Sequence, residues 1–86
     1  MDNTYNEQLK AAVWMKGYAD SHYDPSIYRT DRYGLWMRYG DYGNRNSDYG
    51  WEIDHIVPVS RGGSDSLLNL QPLHWRNNAK KQDNLL

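Results

Sequence analysis

The sequence predicts a small α+β protein, and three observations support this fold class. An N-terminal segment carries apolar residues at helical spacing, and a C-terminal segment without Gly or Pro ends in strong helix formers. Between them lie two short apolar segments separated by a turn-rich loop, which is typical of paired strands. A chain of 86 residues has room for one hydrophobic core, so we expect a single domain over residues 1–86.

The first helix is predicted over about residues 5 to 16. Thr4 and Glu7 have the spacing of a capping box, and apolar residues follow at helical intervals. Gly17 stands where a helix commonly ends. The segment therefore predicts an N-terminal supporting helix.

The middle of the chain predicts little regular structure. Residues 18–33 combine several turn-forming pairs without sustained periodicity, which indicates an ordered, aromatic connector. Leu35–Tyr39 is short and bulky enough for a strand, and the Gly- and Asn-rich residues 40–50 predict a long turn. We expect residues 1–50 to support the segment that follows.

The C-terminal part predicts the order strand, loop, strand, helix. A strand should begin at Trp51 and end close to His55, because a proline follows three residues later. Residues 60–66 form a turn-rich loop, and Leu67–Gln71 predicts a second strand. Leu73–Gln82 then predicts a helix.

Composition limits what can hold this fold together. The chain has no Phe but 4 Trp and 8 Tyr, so we expect an aromatic core and assign most of these rings to packing rather than to base stacking. It also has no Cys, which excludes disulfides and thiolate zinc sites. Any bound metal must therefore use oxygen or imidazole ligands.

Charge and hydropathy point to the compartment and the partner. The chain has no basic leader and no long apolar run, which predicts a cytoplasmic protein without a membrane partner. Its net charge is −1, but residues 55–86 hold 4 basic and 2 acidic side chains, whereas residues 1–54 hold 6 basic and 9 acidic ones. A phosphate partner is therefore expected at the C-terminal third, although basic residues at a solvated helix end would look the same.

Three residues in or next to this C-terminal third can serve phosphodiester hydrolysis, which needs an aligned water, a base and a cation. Asp54 supplies a hard oxygen ligand, adjacent His55 can supply a base, and the amide oxygen of Asn78 can complete a metal site. Adjacent strand residues point to opposite faces, so we expect the backbone to depart from β geometry here. Two protein oxygens suit one Mg²⁺ or Mn²⁺ ion better than Zn²⁺.

The residues from 51 to 83 resemble the ββα-metal (HNH, or His-Me finger) motif of the HNH endonucleases. The resemblance rests on Trp51–Gly63 and Asn69–Lys80, with intervals of 14 residues from 55 to 69 and 9 residues from 69 to 78. Asp54 matches the acidic residue of that family, and His55 matches its first His. Asn69 matches the central Asn, and Asn78 matches the closing His or Asn.

The resemblance implies a divalent-metal-dependent endonuclease that cleaves DNA and leaves 5′-phosphate and 3′-hydroxyl ends. It implies that His55 is the general base, that Asp54 and Asn78 bind the metal, and that Asn69 spans the hairpin loop and holds His55 in position. His74 and Asn77 stand near the helix where many members carry zinc-binding Cys. We therefore expect no structural zinc ribbon, with packing of the Trp and Tyr rings in its place.

The nucleic-acid contacts and the function class have alternatives that the sequence leaves open. Arg61, Arg76, Lys80 and Lys81 are candidates for phosphate contacts, and we assign the first three to DNA binding; RNA is an alternative substrate. A non-catalytic nucleic-acid-binding or protein-interaction module would share the fold. A nuclease toxin domain controlled by an immunity protein would share the chemistry, and the sequence does not indicate an oligomeric state.

Overall fold

A computed structural model describes residues 6–86. It contains two helices and two antiparallel sheets of two strands each, which confirms the predicted α+β class. The first sheet pairs β1 with β2, and the second pairs β3 with β4. In chain order the elements are α1 (Glu7–Trp14), β1 (Tyr28–Thr30), β2 (Trp36–Arg38), β3 (Trp51–His55), β4 (Leu70–His74) and α2 (Trp75–Gln82).

Helix α1 lies within the predicted range but is shorter at both ends. Its N-cap is Asn6, whose side chain accepts a hydrogen bond from the backbone N–H of Leu9 at 2.8 Å. Thr4, which we expected as the cap, lies outside the described residues. A local Asn cap therefore satisfies one of the free N–H groups at the start of the helix.

A buried arginine stabilises the end of α1. Arg29 is 8% exposed, and its guanidinium donates to the carbonyl oxygens of Gly17 and Pro25, each at 2.9 Å. The indole N–H of Trp14 donates to the same Pro25 carbonyl at 2.9 Å. These bonds join the helix end to the connector and bring the chain back toward the sheet.

The connector contains a strand that the sequence did not predict. Tyr28–Thr30 pairs with Trp36–Arg38, which is the centre of the strand expected over Leu35–Tyr39. Both strands have only three residues, too few to display an alternating pattern. The second was recognisable from the bulky residues around it, whereas turn-forming pairs surround the first. Thr30 also forms a bridge with Tyr18 after α1.

The second hairpin lies where it was predicted, but its second strand begins three residues later. The segment from Leu67 to Asn69 forms a 3₁₀ turn, and the Ser66 side chain caps this turn by accepting from the N–H of Leu68 at 3.2 Å. The ladder then runs from Leu70 to His74.

The end of β4 also differs from the prediction, because we had taken Pro72 as the point at which the strand ends. Pro72 lies inside β4 opposite Ile53. A sheet of two strands has only edge strands, where a proline can be accommodated without the loss of an interior ladder bond. The strand consequently continues to His74, and α2 begins at Trp75 instead of Leu73.

The core lies between α1 and the two hairpins. The Trp14 and Trp51 ring centroids are 5.0 Å apart, and Tyr39 and Tyr42 pack against this pair. The buried apolar residues around them are Val13, Trp14, Met37, Trp51, Ile53 and Leu70. The core is aromatic as expected, and within residues 6–86 four tyrosines are exposed, namely Tyr18, Tyr23, Tyr33 and Tyr49.

Neither helix among residues 6–86 has the length and apolar character needed to cross a bilayer.

Candidate functional site

A cleft of about 570 Å³ lies along the end of β3, the turn that follows it and helix α2. Its lining includes Asp54, His55 and Asn78, which are three of the four residues that the motif singles out. Arg61 and Lys81 line the same cleft. The fold thus brings together residues that are up to 27 positions apart in the sequence.

The backbone around Asp54 and His55 does not depart from β geometry, so that prediction is wrong. Both residues belong to β3 and remain in the ladder, with Asp54 opposite Gln71 and His55 opposite Leu70. The ladder persists because β4 extends back to Leu70. Their side chains have separate partners, and both residues still line the cleft because it lies at the strand end.

The Asp54 carboxylate is largely enclosed, with its side chain 11% exposed. Its Oδ2 accepts from Gln71 Nε2 at 2.9 Å and from Lys81 Nζ at 2.6 Å. Oδ1 has no hydrogen-bond partner within residues 6–86. Asp54 is therefore a charge-paired carboxylate that retains one free acceptor oxygen.

The His55 ring lies against an exposed carboxylate in the loop. Its Nε2 is 2.8 Å from Asp65 Oδ1, and the side chains are 20% and 87% exposed, respectively. In the described part of the chain, Nδ1 has no hydrogen-bond partner. A neutral ring that donates from Nε2 to Asp65 has an unprotonated Nδ1, which can accept a proton.

Asn69 does not line the cleft but ties together the loop that bounds it. Its Oδ1 accepts from the N–H of Val57 at 2.9 Å, and its Nδ2 donates to the carbonyls of Val57 at 3.0 Å and Ser64 at 2.8 Å. At Gly63 a Cβ atom would lie 1.7 Å from the Val57 carbonyl oxygen, so the loop requires glycine there. One amide side chain thus fixes the backbone just beyond His55.

Asn78 is held by an acidic residue on β3. Its Nδ2 donates to Glu52 Oε1 at 2.7 Å, and its Oδ1 has no hydrogen-bond partner among the described residues. Glu52 also accepts two bonds from Arg45, at 2.7 and 2.8 Å. Burial raises the pKa of Glu52, but the hydrogen bonds from Arg45 and Asn78 outweigh it, so the pKa is lowered overall.

The three candidate phosphate contacts have different surroundings. Arg61 and Lys80 are exposed, and neither side chain bonds to another described residue. Arg76 Nη2 lies 2.7 Å from Asp48 Oδ1, and its guanidinium lies 4.9 Å from the Trp75 ring centroid. Arg61 and Lys80 can therefore meet an anion without breaking an internal contact, whereas Arg76 must share its charge with a carboxylate.

A buried polar cluster lies where we expected ring packing alone. Asp31 is 1% exposed and its Oδ2 accepts from the His74 backbone N–H at 3.1 Å and from Asn77 Nδ2 at 2.8 Å. Asp31 Oδ1 accepts from the N–H groups of Tyr33 at 2.9 Å and Leu35 at 3.0 Å. Hydrogen bonds thus join the first hairpin to the start of α2, and packing is only part of what holds this region.

His74 has a structural position within this cluster. Its ring is buried at 1% exposure, with Nδ1 accepting from the Arg76 backbone N–H at 3.0 Å and Nε2 lying 2.7 Å from the Asp48 carbonyl oxygen. Nδ1 therefore caps the start of α2, and Nε2 links the ring to the turn that contains Asp48. It does not line the cleft.

Three residues that contact the predicted site residues were missed by the sequence analysis. Glu52 and Asp65 had no assigned role, and Lys81 was considered only as a possible phosphate contact. Glu52 is two residues before Asp54 and thus on the same strand face, and Lys81 is three residues after Asn78 on one helix face; both spacings were readable signals. For Asp65 the sequence carries no comparable signal, because loop conformation alone brings it to His55.

Comparison with known families gives an independent result. The family model described as HNH endonuclease matches residues 41–84, slightly more than half of the chain. No curated protein and no solved structure matches this sequence. The matched range contains β3, β4 and nearly all of the residues described for the cleft. The chain therefore belongs to the HNH endonuclease family.

Proposed function

We propose that this protein is a divalent-metal-dependent endonuclease that hydrolyses DNA phosphodiester bonds. The observation that carries the proposal is the convergence of Asp54, His55 and Asn78 on one cleft. Membership of the HNH endonuclease family supports nuclease chemistry. We further propose that residues 51–83 form a ββα-metal motif within a single domain over 1–86, with 1–50 in support.

The donor set fits one Mg²⁺ or Mn²⁺ ion. Asp54 offers a carboxylate and Asn78 an amide oxygen, which are the hard ligands these ions prefer. The ammonium of Lys81 already contacts Asp54, which supports this position as one that accepts a cation. Among residues 6–86 no three His, Cys, Asp or Glu side chains form a metal cluster, so water and phosphate oxygens would complete the coordination.

His55 is proposed as the general base and Asn69 as the residue that positions it. The contact between His55 Nε2 and Asp65 supports Nδ1 as the atom that takes the proton from the attacking water. A bound divalent ion would neutralise charge on the phosphate and the leaving oxygen. Asn69 holds the loop after His55 through its three hydrogen bonds, which limits the orientations of the ring.

Arg61, Lys80 and Arg76 are proposed to hold the DNA backbone. Exposed cations attract phosphates whatever the base sequence. Arg61 lines the cleft itself, and Lys80 lies on α2 next to Lys81. These contacts would position a phosphodiester bond over Asp54 without reading bases.

Cleavage of supercoiled plasmid tests the proposal. Purified protein is incubated with plasmid in EDTA or with Mg²⁺ or Mn²⁺, beside the variants His55→Ala and Asp54→Ala. We expect metal-dependent nicking, with His55→Ala slower by about 10² to 10⁴ because a positioned base is lost. Higher pH should partly restore His55→Ala, since hydroxide can replace the activated water. Asp54→Ala should instead bind metal more weakly.

A matched control is available in the exposed pair His22 and Asp20, whose Nδ1 and Oδ1 atoms are 2.9 Å apart and which do not line the cleft. His22→Ala and Asp20→Ala remove the same groups outside the site, so both should cleave like the parent. If His55→Ala lost metal binding while Asp54→Ala kept it, His55 would be the metal ligand and Asp54 the base. DNA binding without cleavage under any metal would favour a non-catalytic module.

A further inference from the structure

Lys81 makes contacts that separate it from the other basic residues of the C-terminal region. Its Nζ lies 2.6 Å from Asp54 Oδ2, 2.6 Å from the His55 carbonyl oxygen and 3.2 Å from the Ile56 carbonyl oxygen. Its side chain is 23% exposed. An ammonium has three donors, and here three oxygens surround it. Lys81 therefore uses its full hydrogen-bonding capacity at the end of β3.

This ammonium neutralises a carboxylate that has little access to water. Asp54 is 11% exposed, and an enclosed carboxylate is costly unless it is paired with a cation or bonded. Within residues 6–86, Lys81 is the cation that contacts it. Neighbouring Lys80 is exposed and has no such contact, although it belongs to the same helix turn.

The oxygens around the ammonium are also of the kind that a divalent cation binds. A carboxylate and backbone carbonyls are hard ligands for Mg²⁺ and Mn²⁺. A metal ion bound to Asp54 would be next to the positive charge of Lys81 in a poorly solvated site, where like charges repel strongly. The divalent ion and the Lys81 ammonium therefore compete for the Asp54 carboxylate.

We propose that Lys81 is an internal competitor that occupies the cation site of the metal-free protein and must leave it when metal binds. This rests on the proposed role of Asp54 as a metal ligand. Without metal, Lys81 keeps the enclosed carboxylate paired and holds α2 against the end of β3. With metal, the ammonium is displaced, and its displacement reduces the apparent metal affinity.

Metal titration of three variants tests this competition. Mn²⁺ is titrated calorimetrically into the parent, Lys81→Met, Lys81→Arg and Lys80→Met. If the ammonium holds the site for about nine-tenths of the time, Lys81→Met should bind Mn²⁺ about tenfold more tightly. Lys81→Arg keeps a cation and should stay close to the parent. Lys80→Met removes the same charge one residue away and controls for long-range electrostatics.

Thermal unfolding in EDTA supplies a second readout that does not depend on cleavage. Lys81→Met should melt below the parent because Asp54 loses its counter-charge, and saturating Mn²⁺ should narrow that gap. Lys80→Met should melt like the parent with and without metal. If Lys81→Met folds only when Mn²⁺ is present, that outcome also supports the competition.

Several outcomes would overturn the inference. If Lys81→Met is folded without metal but binds Mn²⁺ no more tightly than Lys80→Met, or more weakly than the parent, the ammonium does not compete. If neither the parent nor Lys81→Met binds metal, both the inference and the metal-dependent function fail. If Lys81→Met binds metal more tightly but no protein cleaves plasmid, the inference stands and the proposed nuclease function fails.

Discussion

Replacement of Asn69 by Ala should destabilise the protein measurably, since one side chain makes three hydrogen bonds across the loop. Each such bond contributes about 0.5–1.5 kcal/mol net, and Asn69 is half-buried. We therefore expect the free energy of unfolding to fall by about 2 kcal/mol. For a domain of this size that corresponds to a decrease in Tm of about 8 to 16 °C.

The assay is thermal and urea unfolding of the parent, Asn69→Ala and Asn69→Asp, with plasmid cleavage measured well below each Tm. Asn69→Asp keeps the acceptor for the Val57 N–H but places an anionic oxygen against the carbonyls of Val57 and Ser64. It should therefore destabilise at least as much as alanine. Asn46 is the control, because its exposed side chain makes no hydrogen bond within the described residues.

Two results would refute this reasoning. A loss below about 0.5 kcal/mol in Asn69→Ala, equal to that of Asn46→Ala, would mean that water replaces the three bonds without cost. Loss of Mn²⁺ binding by a folded Asn69→Ala would mean that Asn69 is a metal ligand. We expect cleavage to fall more than metal affinity, because the substitution releases the loop next to His55 and spares Asp54.

Three further predictions concern the buried cluster, a lowered pKa and the phosphate contacts. Asp31→Ala should lower the free energy of unfolding, measured in urea, by about 3 kcal/mol or more, because four N–H donors lose their acceptor. Unfolding of the variant like that of the parent would contradict this expectation. Addition of EDTA to the parent should leave its unfolding unchanged. The lowered pKa of Glu52 stabilises the folded state above its ordinary value of 4.5, and that contribution disappears as pH falls through the folded pKa. The Tm gap between parent and Glu52→Gln should therefore narrow as the solution is acidified, and a constant gap would be the opposing result. Arg61→Ala and Lys80→Ala should each lower the salt slope of DNA binding by about one unit, and Arg76→Ala by less because of its ion pair with Asp48. Equal slopes in all three and the parent would mean that these side chains are only solvated.

Local patterns were sufficient for most of the fold. The spacing of apolar residues located α1, and alternation located β3 within a residue of its observed bounds. The pattern failed at Pro72, where a missing N–H was taken as a strand end. A proline ends an interior strand, but the sequence does not say that β4 has only one neighbour.

The candidate site was predictable to the extent that its residues belong to a compact motif. Asp54, His55 and Asn78 were identified from their types and spacing, and all three line the cleft. The contact between Lys81 and Asp54 spans 27 residues, and it depends on how α2 crosses the sheet. The spacing from Asn78 places Lys81 on the same helix face, but it does not give the distance from that face to Asp54 on β3.

The buried carboxylate of Asp31 also affects what can count as the folding unit. Its bonds to His74 and Asn77 close loops of 43 and 46 residues, and such distant contacts form only after a large loss of chain entropy. The HNH match begins at residue 41, beyond Asp31. A fragment cut at the edge of the match would retain β3, β4 and α2 but would leave the His74 N–H and the Asn77 amide without their acceptor. The segment that cooperates in folding is therefore longer than the segment that family comparison recognises.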